Sequence, residues 1–175
     1  LNLPRFCCIE SAYPLHLACY NRECPNEVIQ LLLEKCGDYQ LTHISYMAGN
    51  WGKTGLDCGL YGGTPLHYYL SRTSNVDLDI VKQLVVNPEM LLLTGDDTNC
   101  TPIHILMHNE SIGDMYDVVN YLVESNPSSL KAKDEYDRTP LSVACLNKNI
   151  NTRTVKLLLE AWPESIHQRS ISGAL

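Results

Sequence analysis

The sequence is poor in basic residues, and this bears first on what it can bind. Its 175 residues include 13 lysines and arginines against 20 aspartates and glutamates, a formal net charge of −7. The imbalance is greatest between residues 74 and 130, where nine acidic residues accompany a single basic one, Lys82. Nucleic-acid binding needs lysine and arginine to displace counterions along the phosphate backbone. We therefore expect no nucleic-acid partner, and a basic peptide or surface would suit the middle of the chain.

Long apolar runs are missing as well. No stretch approaches the roughly 18 apolar residues that a membrane-spanning helix needs, and no basic-then-apolar leader begins at Leu1. Hydrophobic residues nevertheless make up 45% of the chain, which is typical of a sequence that builds its own core. We expect a folded protein with no membrane partner.

Paired cysteine motifs are also lacking. The chain has eight cysteines but no Cys-x-x-Cys, and their spacing is irregular. Reduced, buried thiols are favoured over a disulfide scaffold, and Cys19 and Cys145 each lie five residues after a proline. This predicts a reducing compartment, the cytoplasm or the nucleus.

Enzyme motifs are absent too. The sequence has no glycine loop of nucleotide-binding form, no Gly-x-Ser-x-Gly, and no Cys and His in a known nucleophile context. We predict a protein that is not an enzyme, with no cofactor and no small-molecule substrate.

One short motif is present in several copies. Thr64-Pro65-Leu66-His67 recurs as Thr101-Pro102-Ile103-His104 and as Thr139-Pro140-Leu141-Ser142, and a weaker copy, Tyr13-Pro14-Leu15-His16, precedes them. A threonine N-cap, a proline at the first helical position and an inward apolar residue are typical of a helix start. The last three prolines recur about every 37 residues, which predicts a structural repeat.

A second helix and a turn accompany each copy of the motif. The predicted starts of the second helices are Asn26, Asp77, Asp114 and Asn151, and three of these helices should end at Asn87-Pro88, Asn126-Pro127 and Trp162-Pro163. Two residues before each threonine lie Gly62, Asn99 and Asp137, residue types that tolerate the positive φ of a tight turn.

These features together resemble the ankyrin repeat along nearly the whole chain, although the usual period of that repeat is about 33 residues. The resemblance implies an all-α solenoid of about four helix-turn-helix repeats with β-turn fingers, forming one domain over residues 1–175. The expected repeats, called units one to four below, are approximately 13–61, 62–98, 99–136 and 137–172. Because the chain starts at Leu1 and stops where the next helix start would fall, we expect a segment of a longer array.

Some positions depart from the family pattern. Tyr13 replaces the capping threonine, which should weaken the first helix start by about 1 kcal/mol. Ser142 replaces the histidine, which in the family bridges hydrogen bonds within and between repeats. Tyr69 and Leu106 stand where Ala18 and Ala144 keep a small residue. Because interiors have no spare room, we expect a divergent stack of irregular curvature.

The resemblance also implies a function, non-catalytic binding of a partner protein on the concave surface of fingers and inner helices. The expected contact residues are Asp96, Asp97 and Thr98 on one finger and Asp134, Glu135 and Tyr136 on the next. Trp51, in a glycine- and aromatic-rich insertion between residues 37 and 63, would extend this strip, or would instead fold the loop back onto its own repeat. Asp77, Asp114 and Asp117 are expected to serve helix starts.

The histidines raise the question of a metal site. His16, His67 and His104 share the third helical position, so a repeated hydrogen-bonding role is favoured over catalysis or metal binding. His108 lies one turn after His104, a spacing that metal-binding histidines use, but no cysteine or carboxylate stands at a matching spacing. We predict no metal.

A structural role is the alternative to partner binding. The repeats would then be a scaffold segment packed permanently within a larger multidomain protein or assembly. Such a segment, studied alone, would expose large apolar patches.

Overall fold

The structure, a computed structural model, describes residues 12–46, 62–72, 76–95, 98–109 and 115–171. Within these ranges the α-helices are α1 Pro14–Tyr20, α2 Asn26–Leu33, α3 Asp38–Thr42, α4 Pro65–Leu70, α5 Leu78–Leu84, α6 Pro102–His108, α7 Tyr116–Ser125, α8 Pro140–Leu146 and α9 Thr152–Ala161. They are five to ten residues long, and none of those described is long and apolar enough to cross a membrane.

The helices stack in two parallel rows. The inner row is α1, α4, α6 and α8, in which each helix packs on the next, and the outer row is α2, α5, α7 and α9. A short helix pair buries little on its own, so successive pairs bury their apolar sides against one another. This is the all-α helix-turn-helix solenoid that the sequence predicted. The four inner helices begin at Pro14, Pro65, Pro102 and Pro140, as expected from the motif.

The ends of the outer helices were predicted in part. Asp77 caps α5 by accepting hydrogen bonds from the backbone N–H groups of Asp79 and Ile80, and Asn151 caps α9. The N-cap of α7 is Met115 rather than Asp114, which lies outside the described residues. Helices α7 and α9 end directly before Asn126-Pro127 and Trp162-Pro163, as predicted, whereas α5 already ends at Leu84, ahead of Asn87-Pro88. Each of these prolines also opens a 3-10 helix that the sequence analysis missed: Pro88–Leu92, Pro127–Lys131 and Pro163–His167.

The insertion of unit one is described at its two ends. Strand β1, Ser45–Tyr46, pairs antiparallel with β2, Gly62–Gly63. A Cβ atom at Gly63 would lie 2.7 Å from the Cβ of His67, so only glycine fits beside that histidine. Trp51 lies outside the described residues.

Candidate partner-binding surface

Two neighbouring fingers are joined by their backbones. Glu135 N donates a hydrogen bond to Thr98 O at 3.0 Å, and Ile171 N donates to Tyr136 O at 3.0 Å. These bonds link the finger at residues 98–100 to the finger at residues 134–138, and that finger to the segment at Ile171. Asn99 and Asp137 have φ values of 51° and 60°, which confirms the predicted left-handed positions in the turns.

The finger at residues 134–138 is organised around a buried carboxylate. Asp134 Oδ1 accepts hydrogen bonds from the backbone N–H groups of Tyr136 and Arg138, both at 2.9 Å. Asp134 Oδ2 accepts one from Arg138 Nε at 2.7 Å. The backbone closes the turn, because Asp134 N donates to Arg138 O and Asp137 N donates to Asp134 O. One aspartate thus fixes the geometry of the whole finger.

The predicted contact residues divide by exposure. Glu135 and Tyr136 are exposed, and Tyr136 keeps 45% of its surface with the Arg138 guanidinium 4.6 Å from its ring centre. Thr98 and Asp134 are buried, at 7% and 4% exposure, so their side chains hold the finger rather than reach outward. Trp51, Asp96 and Asp97 lie outside the described residues. Of the predicted contact residues that the structure describes, Glu135 and Tyr136 are the two whose side chains are exposed.

Buried histidines tie the inner helices α4 and α6 to the backbone of the finger region that follows each of them. His67 Nε2 lies 3.2 Å from Leu93 O, and His104 Nε2 lies 3.1 Å from Arg138 O. A carbonyl oxygen only accepts, so Nε2 carries the proton and Nδ1 is an acceptor. Nδ1 of His67 then accepts from the backbone N–H of Thr64 at 3.2 Å, and His104 does the same with Thr101 at 3.3 Å. The predicted structural role of both histidines is confirmed.

Burial also sets the charge of these two rings. It lowers the pKa of His67 and of His104 to about 4, although their hydrogen bonds to carbonyl groups act in the opposite direction. The rings are neutral at pH 7. With both nitrogens of His104 occupied, that residue does not pair with His108 as a metal ligand.

The first inner helix lacks this arrangement. His16 Nε2 reaches His43 O at 2.9 Å, but Tyr13 stands where the other units have threonine, and the buried Nδ1 of His16 has no hydrogen-bond partner. In its place, the Tyr13 ring stacks on His16 at 5.9 Å and meets His43 edge-on at 5.3 Å. Aromatic packing thus takes the place of a polar cap.

A set of buried asparagines was missed by the sequence analysis. Asn109 Nδ2 donates to Leu70 O at 3.0 Å and to Arg72 O at 2.5 Å, and Asn147 Nδ2 donates to Met107 O at 2.8 Å. Each amide therefore links a unit to the one before it. The signal available in the sequence is position, since Asn21, Asn109 and Asn147 all lie seven residues after a motif proline.

Arg72 occupies that position in unit two. It is 1% exposed, and its guanidinium donates to Arg22 O at 3.0 Å and to Cys24 O at 2.6 Å. The longer side chain reaches unit one, as the asparagines reach their own preceding units. The Tyr69 hydroxyl lies beside it, accepts from Asp77 N at 2.9 Å, and has its pKa raised to about 12 by burial.

The outer helices of units two and three carry acidic charge. Asp79, Asp117 and Glu124 are exposed, and Lys82 forms an ion pair with Asp79 at 3.3 Å. Asp79 and Asp117 lie in the first turns of their helices, where a carboxylate also complements the helix dipole. The acidic surface is therefore present, and part of it has a local structural explanation.

Enclosed space in this part of the molecule is small. A cavity of about 20 Å³ lies among Leu106, Asn109, Met115, Asn147 and Thr154, which is room for about one water molecule. This cavity is therefore too small for a ligand larger than water.

The chain matches a known family. The family model described as ankyrin repeats, three copies, matches residues 66–170, which is more than half of the chain. No curated protein matches the chain closely enough to count as a relative.

Proposed function

Since the chain belongs to the ankyrin-repeat family, we propose that it binds a partner protein through the finger at residues 134–138 and the inner-helix surface beside it. Repeats of this family are generally protein–protein interaction modules and are typically non-catalytic. The observation that carries the proposal is the finger itself. Its carboxylate is buried and saturated, while Glu135 and Tyr136 next to it are exposed.

This arrangement favours binding for an entropic reason. A partner that docks on a loop must offset the entropy of ordering that loop, and a finger already held by Asp134 needs little further ordering. A half-exposed tyrosine is among the side chains that contribute most to interfaces. Glu135 adds one negative charge, so we propose a partner with a basic peptide or basic surface, met in the cytoplasm or nucleus.

The test is recovery of partners with the whole chain, followed by paired variants. Tyr136→Ala and Glu135→Lys should each weaken binding of a recovered partner by about tenfold or more. Tyr39, 66% exposed on α3, and Glu34, exposed at the end of α2, supply the controls Tyr39→Ala and Glu34→Lys. Equal loss in test and control variants would contradict a finger site.

Asp96 and Asp97 test the electrostatic part separately. Reversing both charges should reduce the association rate most strongly at low salt, because surface charge steers encounters. Binding that survives the reversal unchanged at low salt would remove these two residues from the proposed site.

The observation that favours the scaffold alternative is exposed apolar surface on unit one, at one end of the stack. Leu17 of α1 is 52% exposed, whereas Tyr68, Ile105 and Val143, which occupy the same position after their own prolines, are at most 1% exposed. Val28 is likewise 43% exposed in α2. Replacing Leu17 and Val28 with glutamine should reduce binding of an apolar dye if this edge is bare, and leave it unchanged if the edge is covered.

A further inference from the structure

Three side chains with metal-binding atoms meet at the base of the fingers. The Cys100 sulfur, a His108 ring nitrogen and an Asp134 carboxylate oxygen all lie within 4.8 Å of one another. They come from three places in the chain, namely the finger at residues 98–100, the end of α6 and the finger at residues 134–138. Because the partners are distant in sequence, spacing along the chain gave no sign of this cluster.

The three donors match one class of ion. Thiolate sulfur, imidazole nitrogen and carboxylate oxygen are the ligands that Zn²⁺ takes, usually four in a tetrahedron. The cluster is buried at Cys100 and Asp134 and half-buried at His108. Zinc ligands in a tetrahedron lie closer together than the upper limit of 4.8 Å, so only small side-chain shifts are needed.

A cationic group already lies within the cluster. The Arg138 guanidinium donates from Nε to Asp134 Oδ2 at 2.7 Å, and its NH2 group lies 3.4 Å from His108 Nε2. A guanidinium only donates, so the His108 nitrogen facing it presents a lone pair. A carboxylate oxygen and an imidazole lone pair therefore point at one positive charge, which is the arrangement that a metal ion requires.

We propose that Cys100, His108 and Asp134 bind a zinc-class divalent ion and that the Arg138 guanidinium holds the place of this cation until the ion enters. On binding, the Cys100 thiol releases its proton to solvent and the guanidinium leaves Asp134 Oδ2. Asp134 Oδ1 keeps its two backbone hydrogen bonds, so the finger stays closed. Water completes the coordination of the ion.

The displaced guanidinium has a second place to go. It lies 4.6 Å from the centre of the Tyr136 ring, and its side chain is 19% exposed. An arginine that already borders solvent and an aromatic face moves outward at little cost. Ion binding thus moves the positive charge of Arg138 toward the exposed surface of the finger.

Cobalt titration of the whole chain tests the site, because Co²⁺ bound to thiolate gives a charge-transfer band in the near ultraviolet. One equivalent should produce the band, and Zn²⁺ should abolish it. Cys100→Ala should remove the band, and His108→Ala should weaken Co²⁺ binding about 100-fold. His108 is only half-buried, so we expect His108→Ala to fold even if Cys100→Ala disturbs the core. Circular dichroism checks the folding of both variants. Cys145→Ala, at an exposed cysteine, is the matched control and should change nothing.

The decisive variant is Arg138→Met, which removes the competing charge. Because the ion no longer has to displace a guanidinium from Asp134 Oδ2, this variant should bind Co²⁺ about tenfold more tightly or better. A purely structural Asp134–Arg138 pair predicts no gain. The proposal is overturned if Arg138→Met binds no more tightly than the unchanged chain, if neither protein gives the band, or if the band persists in Cys100→Ala.

Discussion

The contact between units one and two differs from the contacts that follow it in how buried polar groups are satisfied. Between units two and three, and between three and four, Asn109 and Asn147 donate to carbonyl groups of the preceding unit. Between units one and two the corresponding residue is a buried arginine, Arg72. Within the described residues, the buried polar atoms without a hydrogen-bond partner are His16 Nδ1, His43 Nε2, Ser45 Oγ, Arg72 Nε and Ser129 Oγ, and all but the last belong to the first contact.

The difference teaches where this solenoid is weakest. Each buried polar group without a partner costs about 1–3 kcal/mol, so the first contact, which holds four of these five atoms, carries most of this penalty. Local unfolding starts where such penalties accumulate. We expect hydrogen exchange to be faster in α1 to α3 than in α6 to α8.

Acid should give the largest effect on the later contacts. Unfolded histidines have a pKa near 6.5, whereas burial holds the pKa of His67 and His104 at about 4 in the folded chain. Between pH 6.5 and 4 the unfolded chain therefore binds more protons. As the pH is lowered through this range, the free energy of unfolding should decrease by up to about 1.4 kcal/mol per pH unit for each histidine. His67→Gln should make this fall less steep in urea titrations, and the exposed His167→Gln should not. An unchanged slope in His67→Gln would contradict the assignment.

Arg72 should be the most sensitive residue of the first contact. Arg72→Lys keeps the charge, but one ammonium nitrogen cannot replace both Nη2, which donates to Arg22 O and Cys24 O, and Nη1, which donates to Asn26 Oδ1. We therefore expect a loss of about 2 kcal/mol in urea unfolding. Arg169→Lys, at an exposed position, is the control and should be neutral. A neutral Arg72→Lys would mean that the charge, and not the forked geometry, holds the first contact.

A matched asparagine pair compares the two regions directly. Asn109→Ala should cost about 2 kcal/mol, because it leaves Leu70 O and Arg72 O without the amide donor. The equivalent Asn21→Ala should cost much less, because Asn21 is exposed and its amide oxygen accepts from Glu23 N within a local turn. Equal losses in urea unfolding would show that the two positions do not differ.

The smallest expected effect is a repair of the first contact. Tyr13→Thr should place a threonine hydroxyl beside His16 Nδ1, as Thr64 does beside His67 Nδ1 in unit two. This should raise the free energy of unfolding by about 1 kcal/mol. The aromatic contacts of Tyr13 with His43 and Tyr39 oppose this gain. A net loss of stability would show that aromatic packing outweighs the polar cap.

The helix starts and finger turns could be predicted because local chemistry determines them. Threonine, proline and histidine at fixed offsets specify one turn of helix, and Asn99 and Asp137 adopt the positive φ expected of them. The interactions of Asn109 could not be predicted in this way. Its partners lie 37 and 39 residues earlier, and only the stacking brings them together.

The exposure of the proposed binding residues could also be predicted only in part. A polar finger sequence such as Asp134-Glu135-Tyr136 predicts exposure for all three residues. In the structure the turn needs one carboxylate to accept its own N–H groups, so Asp134 turns inward while Glu135 and Tyr136 remain exposed. Which acidic residue accepts the N–H groups of the turn and which one stays exposed depends on the turn geometry, and composition does not encode that geometry.

The direction of the asparagine amides bears on how such a chain can lengthen. Asn147 donates a hydrogen bond to a carbonyl group of unit three in the same way that Asn109 donates to one of unit two. An in-frame duplication of residues 99–136 would therefore give a new unit whose asparagine finds carbonyl acceptors on the unit before it. The carbonyl groups of the new unit would in turn accept from Asn147 of the unit after it. Duplicating residues 62–98 instead would add a second arginine at the position where units three and four have asparagine, so residues 99–136 are the module better suited to growth by gene duplication.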